Sequence, residues 1–440
     1  MATHDGATSR APRNRVRAVV ALGAGAVVCS MLTACGSSGP PTLNWYVNPD
    51  GVDTLTSLAE QCSTADYDID IQLLPSGATD QRTQLARRLA AEDSSTDLMS
   101  LDPVFVPEFA NAGWLLPFEG EAADAVTNGI LAGPLDTVMW EDKVFAAPQW
   151  ANTQVVWFRK SLAQAAGLTM DDTVTWDQVI EAAADNDGTV GIQANRYEAY
   201  VVLINAMILG AGGDIVSDTE AGKDAQVDID SEAGRKAAAI IEKLADSDAA
   251  QSDLTVSNEG TSLGQMYPDS GAGEFMTNWT FVYKNYQDLV ESGDLTKDDL
   301  EDLGWARYPR TVADQPSAPP VGGIDIAVGA FTENPDFALE AAQCVTTSKA
   351  QEALARDEGL MPARGEVYDS PELSEYPEGL LDLWQTSLDE GGARPKSAYY
   401  ALISGAVQSV WHSPTSVSPD STPADSAEFL REVLDGKALL

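Results

Sequence analysis

Apolar and polar positions follow two periods along this chain, and the changes between them mark its elements. Residues 42–47 (Thr-Leu-Asn-Trp-Tyr-Val) have strand composition, and Asn48-Pro49-Asp50-Gly51 is a turn sequence. From Asp53 to Cys62 the period becomes helical, with Leu55, Leu58 and Ala59 on one face. Residues 67–74 alternate and predict a second strand. Asp80 is placed to cap the next helix, where Leu85 and Leu89 lie beneath an arginine-rich outer face. A third strand is predicted over 97–101, then a helix holding Phe105, Phe109 and Ala110. This alternation predicts an α/β fold with a parallel sheet covered on both faces. Such sheets bind ligands beyond the carboxyl ends of their strands. Asn48 and Asp50, after the first strand, and Asp102, after the third, therefore fall on one rim.

Farther along, 143–148 and 153–158 read as two extended segments, and 175–304 is rich in helical patterns, among them 176–184, 197–209 and 232–245. Pro309, Pro316, Pro319 and Pro320 suggest a connector, followed by an apolar strand over 324–328 and a helix over 335–346. No repeat of 20–50 residues is present.

With 440 residues the chain is long enough for two or three domains, and 44% apolar with 21% charged residues is ordinary globular composition. A formal charge of −42 argues against nucleic acid as a partner. The sequence has only two histidines, His4 and His412, so triads, His-rich zinc sites and other histidine-dependent chemistry have little to rest on. Neither a catalytic residue, a metal nor a cofactor is called for.

The N-terminus carries Arg10, Arg13, Arg15 and Arg17, then an uncharged stretch from Ala18 to Ala34. It ends in Leu32-Thr33-Ala34-Cys35 before Gly36-Ser37-Ser38-Gly39, which resembles the lipobox of bacterial lipoproteins. That resemblance implies a signal peptide over 1–34, acylation of Cys35, a tether over 35–41 and a protein held on the outer face of the plasma membrane. A conventional secretory signal or an uncleaved anchor is the plainer alternative. Cys29 would leave with the signal, so Cys62 and Cys344 remain. In an oxidising compartment they most simply form one disulfide, with metal binding by the pair as the weaker alternative.

Several segments together resemble the extracytoplasmic sugar-binding proteins of ABC importers. They are 109–118 (Phe-Ala-Asn-Ala-Gly-Trp-Leu-Leu-Pro-Phe), 143–148 with Trp157-Phe158-Arg159-Lys160-Ser161-Leu162, Thr175-Trp176-Asp177-Gln178, and 277–283 around Trp279. Within that family, Asn152-Thr153-Gln154, Asn258-Glu259-Gly260, Asn278-Trp279 and Ala393-Arg394-Pro395 resemble binding segments of trehalose-binding lipoproteins. The pairing of Cys62 with Cys344 also belongs to that likeness. Phe281 departs from the proline many relatives carry after this tryptophan segment. The resemblance implies a two-lobed Venus-flytrap fold of the periplasmic-binding-protein kind, with the ligand cleft between lobes. The expected division is an N-terminal lobe from 42–153 and 305–357, and a C-terminal lobe from 154–304 and 358–440.

A disaccharide presents many hydroxyls and flat C–H faces, so its site wants carboxylates, amides and an aromatic platform. Trp279 is the expected platform, against the alternative of a core tryptophan. Asp102 can accept sugar hydroxyls or cap the helix that starts at Pro103. Asn152 can bind ligand or brace the crossing between lobes, and Glu259 can bind ligand or merely sit in a loop or at a helix start. Arg394 can fork onto vicinal hydroxyls or a neighbouring carboxylate. Asn48, Asp50 and Gly323 complete the ligand-binding set, with a permissive turn as the alternative for Gly323.

The implied function is capture of a disaccharide, trehalose first, and delivery to an ABC permease with its ATPase by a monomeric, lipid-anchored receptor. Maltose, sucrose or a phosphorylated glycerol are alternative solutes. A secreted glycosidase is the enzyme alternative, since two carboxylates roughly 5–10 Å apart suffice for that chemistry.

Overall fold

In the computed structural model, residues 39–268 and 271–440 are described. The expected signal peptide and Cys35 lie outside them. One sheet runs through the molecule. Its nine strands are β1 (Thr42–Val47), β2 (Asp68–Leu73), β3 (Leu98–Leu101), β4 (Ala146–Arg159), β5 (Thr189–Gly191), β6 (Glu274–Trp279), β7 (Leu303–Ala306), β8 (Pro320–Val328) and β9 (Gly392–Ala393). The order is β2-β1-β3-β8-β4-β6-β5, with β7 also on β4 and β9 beside β8.

β1, β2 and β3 are parallel, as the alternation predicts. β3, inside the sheet, reads Leu-Met-Ser-Leu and is buried throughout, whereas the edge strand β2 stays partly exposed. β8 joins this set antiparallel to β3, and β4 pairs antiparallel with β8. β4 is a single strand where the sequence suggests two extended segments. The reason lies in its partners: β8 holds it from Ala146 to Thr153, and β6 holds it from Gln154 to Phe158. Pairing never lapses at the crossing, so the strand does not break. Pro148 is tolerated because the register shifts beside it, with Ile324 opposite Trp150 and Asp325 opposite Pro148, leaving Gln149 as the extra residue of a bulge.

Two of the cores flank this crossing. One gathers Leu43, Trp45, Leu98, Phe109, Trp150 and Ile326; the other gathers Trp176, Val190, Ile204, Ile241, Ile403 and Trp411. A third, around Trp157, Tyr286, Met361, Leu380 and Trp384, packs on one face of the crossing strands. The chain is thus a two-lobed α/β molecule of the periplasmic-binding-protein type.

Helix ends follow their local sequences. Thr175 and Gln178 form a reciprocal capping box on helix Trp176–Ala184, and the Gly234 N–H donates to Ser231 Oγ at 3.2 Å at the start of helix Glu232–Ala245. Asp80 does not cap. Gly77 holds that position in extended backbone, and Asp80 lies in the first turn of helix Ala78–Ala90, where its charge still faces the positive helix end. A disulfide joins Cys62 to Cys344 across a sequence separation of 282, tying helix Val52–Cys62 to helix Pro335–Cys344.

Candidate functional site

The lobes face each other across a cleft of about 680 Å³. All eight residues singled out in the sequence line it. Asn48 and Asp50 stand beyond β1; Asn48 is buried and donates from Nδ2 to Asp50 Oδ2 at 2.8 Å. Asn152 lies on β4 at the crossing, where its Oδ1 accepts from Thr280 Oγ1 at 3.3 Å and leaves its Nδ2 as a donor. Glu259 opens the short helix Glu259–Leu263, with Asn258 as its cap, and accepts from the Tyr197 hydroxyl at 2.8 Å. Burial and then Glu259 raise the Tyr197 phenol above its ordinary range, so it stays a donor.

Trp279 ends β6 and is half-buried. Its ring lies over Gly322: a Cβ built there would be 3.2 Å from the indole. Gly323 borders the cleft, but its identity has a backbone cause. Its φ is 140°, and a Cβ would meet the Trp150 carbonyl oxygen at 2.2 Å. Only glycine lets β8 approach β4 this closely.

Asp102 caps, as its position allows, and also takes Arg394. Oδ1 accepts from the Val104 N–H at 3.4 Å, capping the turn Pro103–Phe105, and from Arg394 Nη2 at 2.7 Å. Oδ2 takes a further bond from Arg394 Nη1 at 3.3 Å. Of the two partners open to it from sequence, the guanidinium has thus taken a carboxylate. A second carboxylate shares it: Nη1 donates to Glu198 Oε1 at 2.8 Å. Burial opposes the Arg394 charge, but Asp102, Tyr400 and Glu198 together hold the guanidinium well above its usual range. Burial pushes the Glu198 carboxyl up, with Arg394 opposing.

Glu198, Tyr197 and Trp150 are cleft residues that the sequence reading passed over. Glu198 did leave a signal. It opens helix Glu198–Leu209, whose following residues through Asn205 to Ile208 are buried on every side. A lone acid on such a helix needs a buried partner. Among the described residues no cluster with metal-ligand chemistry occurs.

A polar cleft with an aromatic wall, spanned by strands shared between two lobes, is the geometry of a solute-binding protein. Comparison places it further: a family model, the bacterial extracellular solute-binding protein, matches residues 57–380. The chain belongs to that family, whose members bind solutes and are not enzymes. It is 30% identical over 103 residues to the mannitol-binding protein of Pseudomonas aeruginosa, a stretch covering 23% of this chain and 24% of that protein. The maltose-bound MalE3 of T. maritima superposes with a TM-score of 0.76 at 20% identity, covering 89% of this chain and 99% of that one. The GacH receptor of Streptomyces glaucescens, solved unliganded and with acarbose, gives 0.73 at 22% identity, covering 91% and 100%. These likenesses show the fold.

Proposed function

We propose that the chain is the sugar-capturing receptor of an ABC importer, anchored through lipid on Cys35 outside the plasma membrane, and that it takes a disaccharide, trehalose first. It acts as a monomer that hands the sugar to a permease and its ATPase. The observation that carries this reading is convergence. Asn48, Asp50, Asp102, Asn152, Glu259, Trp279, Gly323 and Arg394 are scattered over most of the chain yet line one cleft. That cleft supplies what a disaccharide needs: an indole for a C–H face, amides as donors, and carboxylates with a phenol oxygen as acceptors.

Charge narrows the solute. Among the described residues six carboxylates against two guanidiniums line the cleft, and Arg394 is already paired with Asp102 and Glu198. An anionic solute such as a phosphorylated glycerol would meet repulsion without a free cation deep in the site. The choice of trehalose rests on the sequence likeness of the binding segments. A second reading, a linear polyol, is favoured by the relative named for mannitol.

Calorimetric titration with trehalose, maltose, sucrose and D-mannitol separates these readings. The expected result is one site with trehalose bound at least tenfold tighter than the others. Preference for D-mannitol would replace the disaccharide by a polyol while keeping the receptor.

A further inference from the structure

Glu198 lines the cleft, yet its carboxylate is spoken for. Oε1 accepts from Arg394 Nη1 at 2.8 Å and from the Tyr400 hydroxyl, and Oε2 accepts from Ser404 Oγ at 2.6 Å. Gln408 Nε2 in turn donates to Ser404 Oγ at 2.8 Å. The side chains of Glu198 and Arg394 are only 9% and 5% exposed. With its oxygens so engaged, Glu198 can influence a ligand through Arg394 more readily than by contact.

The partners of Arg394 come from opposite sides of the cleft. Helices Glu198–Leu209 and Tyr400–Trp411 bury their apolar residues mainly in the core of the second lobe. Asn205, on the first of these, also holds the Ala393 carbonyl oxygen at 3.2 Å, next to Arg394. The backbone beside Arg394 pairs with β8 at the crossing, while Asn205 and Glu198, both on helix Glu198–Leu209, tie the arginine to the core that this helix packs into. Asp102 follows β3 in the first lobe and meets the same guanidinium with both oxygens. We propose that Glu198 is a positioning residue which fixes Arg394, and that the Asp102–Arg394 pair formed in this structure is a clasp that holds the lobes together. This rests on the reading of the cleft as the ligand site. A charged hydrogen-bonded clasp between rigid lobes favours the closed population, and ligand affinity includes that closure.

The test is a double-mutant cycle of Glu198→Gln and Arg394→Met in the full chain, read by calorimetric titration with trehalose, maltose and D-mannitol. Glu198→Gln is expected to weaken binding about tenfold and Arg394→Met at least as much, with the double variant no weaker than Arg394→Met within twofold. Arg394→Met strands a buried carboxylate, so its Tm falls, and adding Glu198→Gln restores part of that loss. If Arg394→Met does not fold, Arg394→Lys replaces it in the cycle. Losses that multiply, or a Glu198→Gln protein of lower Tm but unchanged affinity, would overturn the proposal.

If none of the three sugars binds the unaltered protein, the ligand reading fails for these solutes. Small-angle scattering then judges the clasp. Both single variants should show the same increased radius of gyration and the double variant no more, whereas unchanged radii would overturn the clasp.

Discussion

Single residues in this cleft do different kinds of work, and their substitutions should separate accordingly. Trp279 is the platform in the proposed site, so Trp279→Ala should cost about 2 kcal/mol of sugar affinity, roughly thirtyfold, with little change in Tm. Gly323 answers to backbone geometry. Gly323→Ala forces a Cβ onto the Trp150 carbonyl at a φ that other residues avoid, and should cost about 1–3 kcal/mol of stability by denaturant titration. An unchanged midpoint would contradict that account. Glu274 lies far from either role. It is fully buried in β6 with neither carboxylate oxygen partnered among the described residues, and burial, then Asp253, push its carboxyl well above the ordinary range. A raised native pKa means stability that is complete below the unfolded value and is lost as pH rises toward the native one. Glu274→Gln does not titrate, so its Tm advantage over the unaltered protein should grow between pH 5 and pH 8. A difference independent of pH would contradict the assignment.

Elements were legible where local pattern and tertiary context agree. Helices Trp176–Ala184 and Glu232–Ala245 run over the residues that periodicity predicts, because their caps are encoded in adjacent side chains. β4 was legible only as two pieces, since a proline and a bulge interrupt its pattern while distant partners β8 and β6 keep it whole. The same limit applies to Glu198 and Arg394: the buried helix marks Glu198 as needing a partner, but a 196-residue separation hides which one. The Cys62–Cys344 pairing was accessible by counting cysteines once Cys35 was assigned to lipid, and it is present. It clamps two helices of one core, so reduction should lower stability by about 2–5 kcal/mol in denaturant titrations with and without dithiothreitol. Equal midpoints would show that packing alone holds those helices.

At the scale of the whole molecule, sheet topology explains why residues from so many segments meet. β1 and β3 deliver Asn48, Asp50 and Asp102 beyond their carboxyl ends, and β4, β6 and β8 carry Asn152, Trp279 and Gly323 to the crossing. The rim was readable from strand order, but the cleft's depth and its pairing of Arg394 with two carboxylates depend on how the lobes sit together. The central claim is that a disaccharide is held in this cleft by both lobes. The most direct measurement is a crystal structure of the protein with trehalose. The account predicts one sugar between the lobes, a ring face against Trp279 and hydroxyls within hydrogen-bonding distance of Asn152, Glu259 and the Asp102–Arg394 pair. A sugar bound elsewhere on the surface, or one touching a single lobe only, would contradict it.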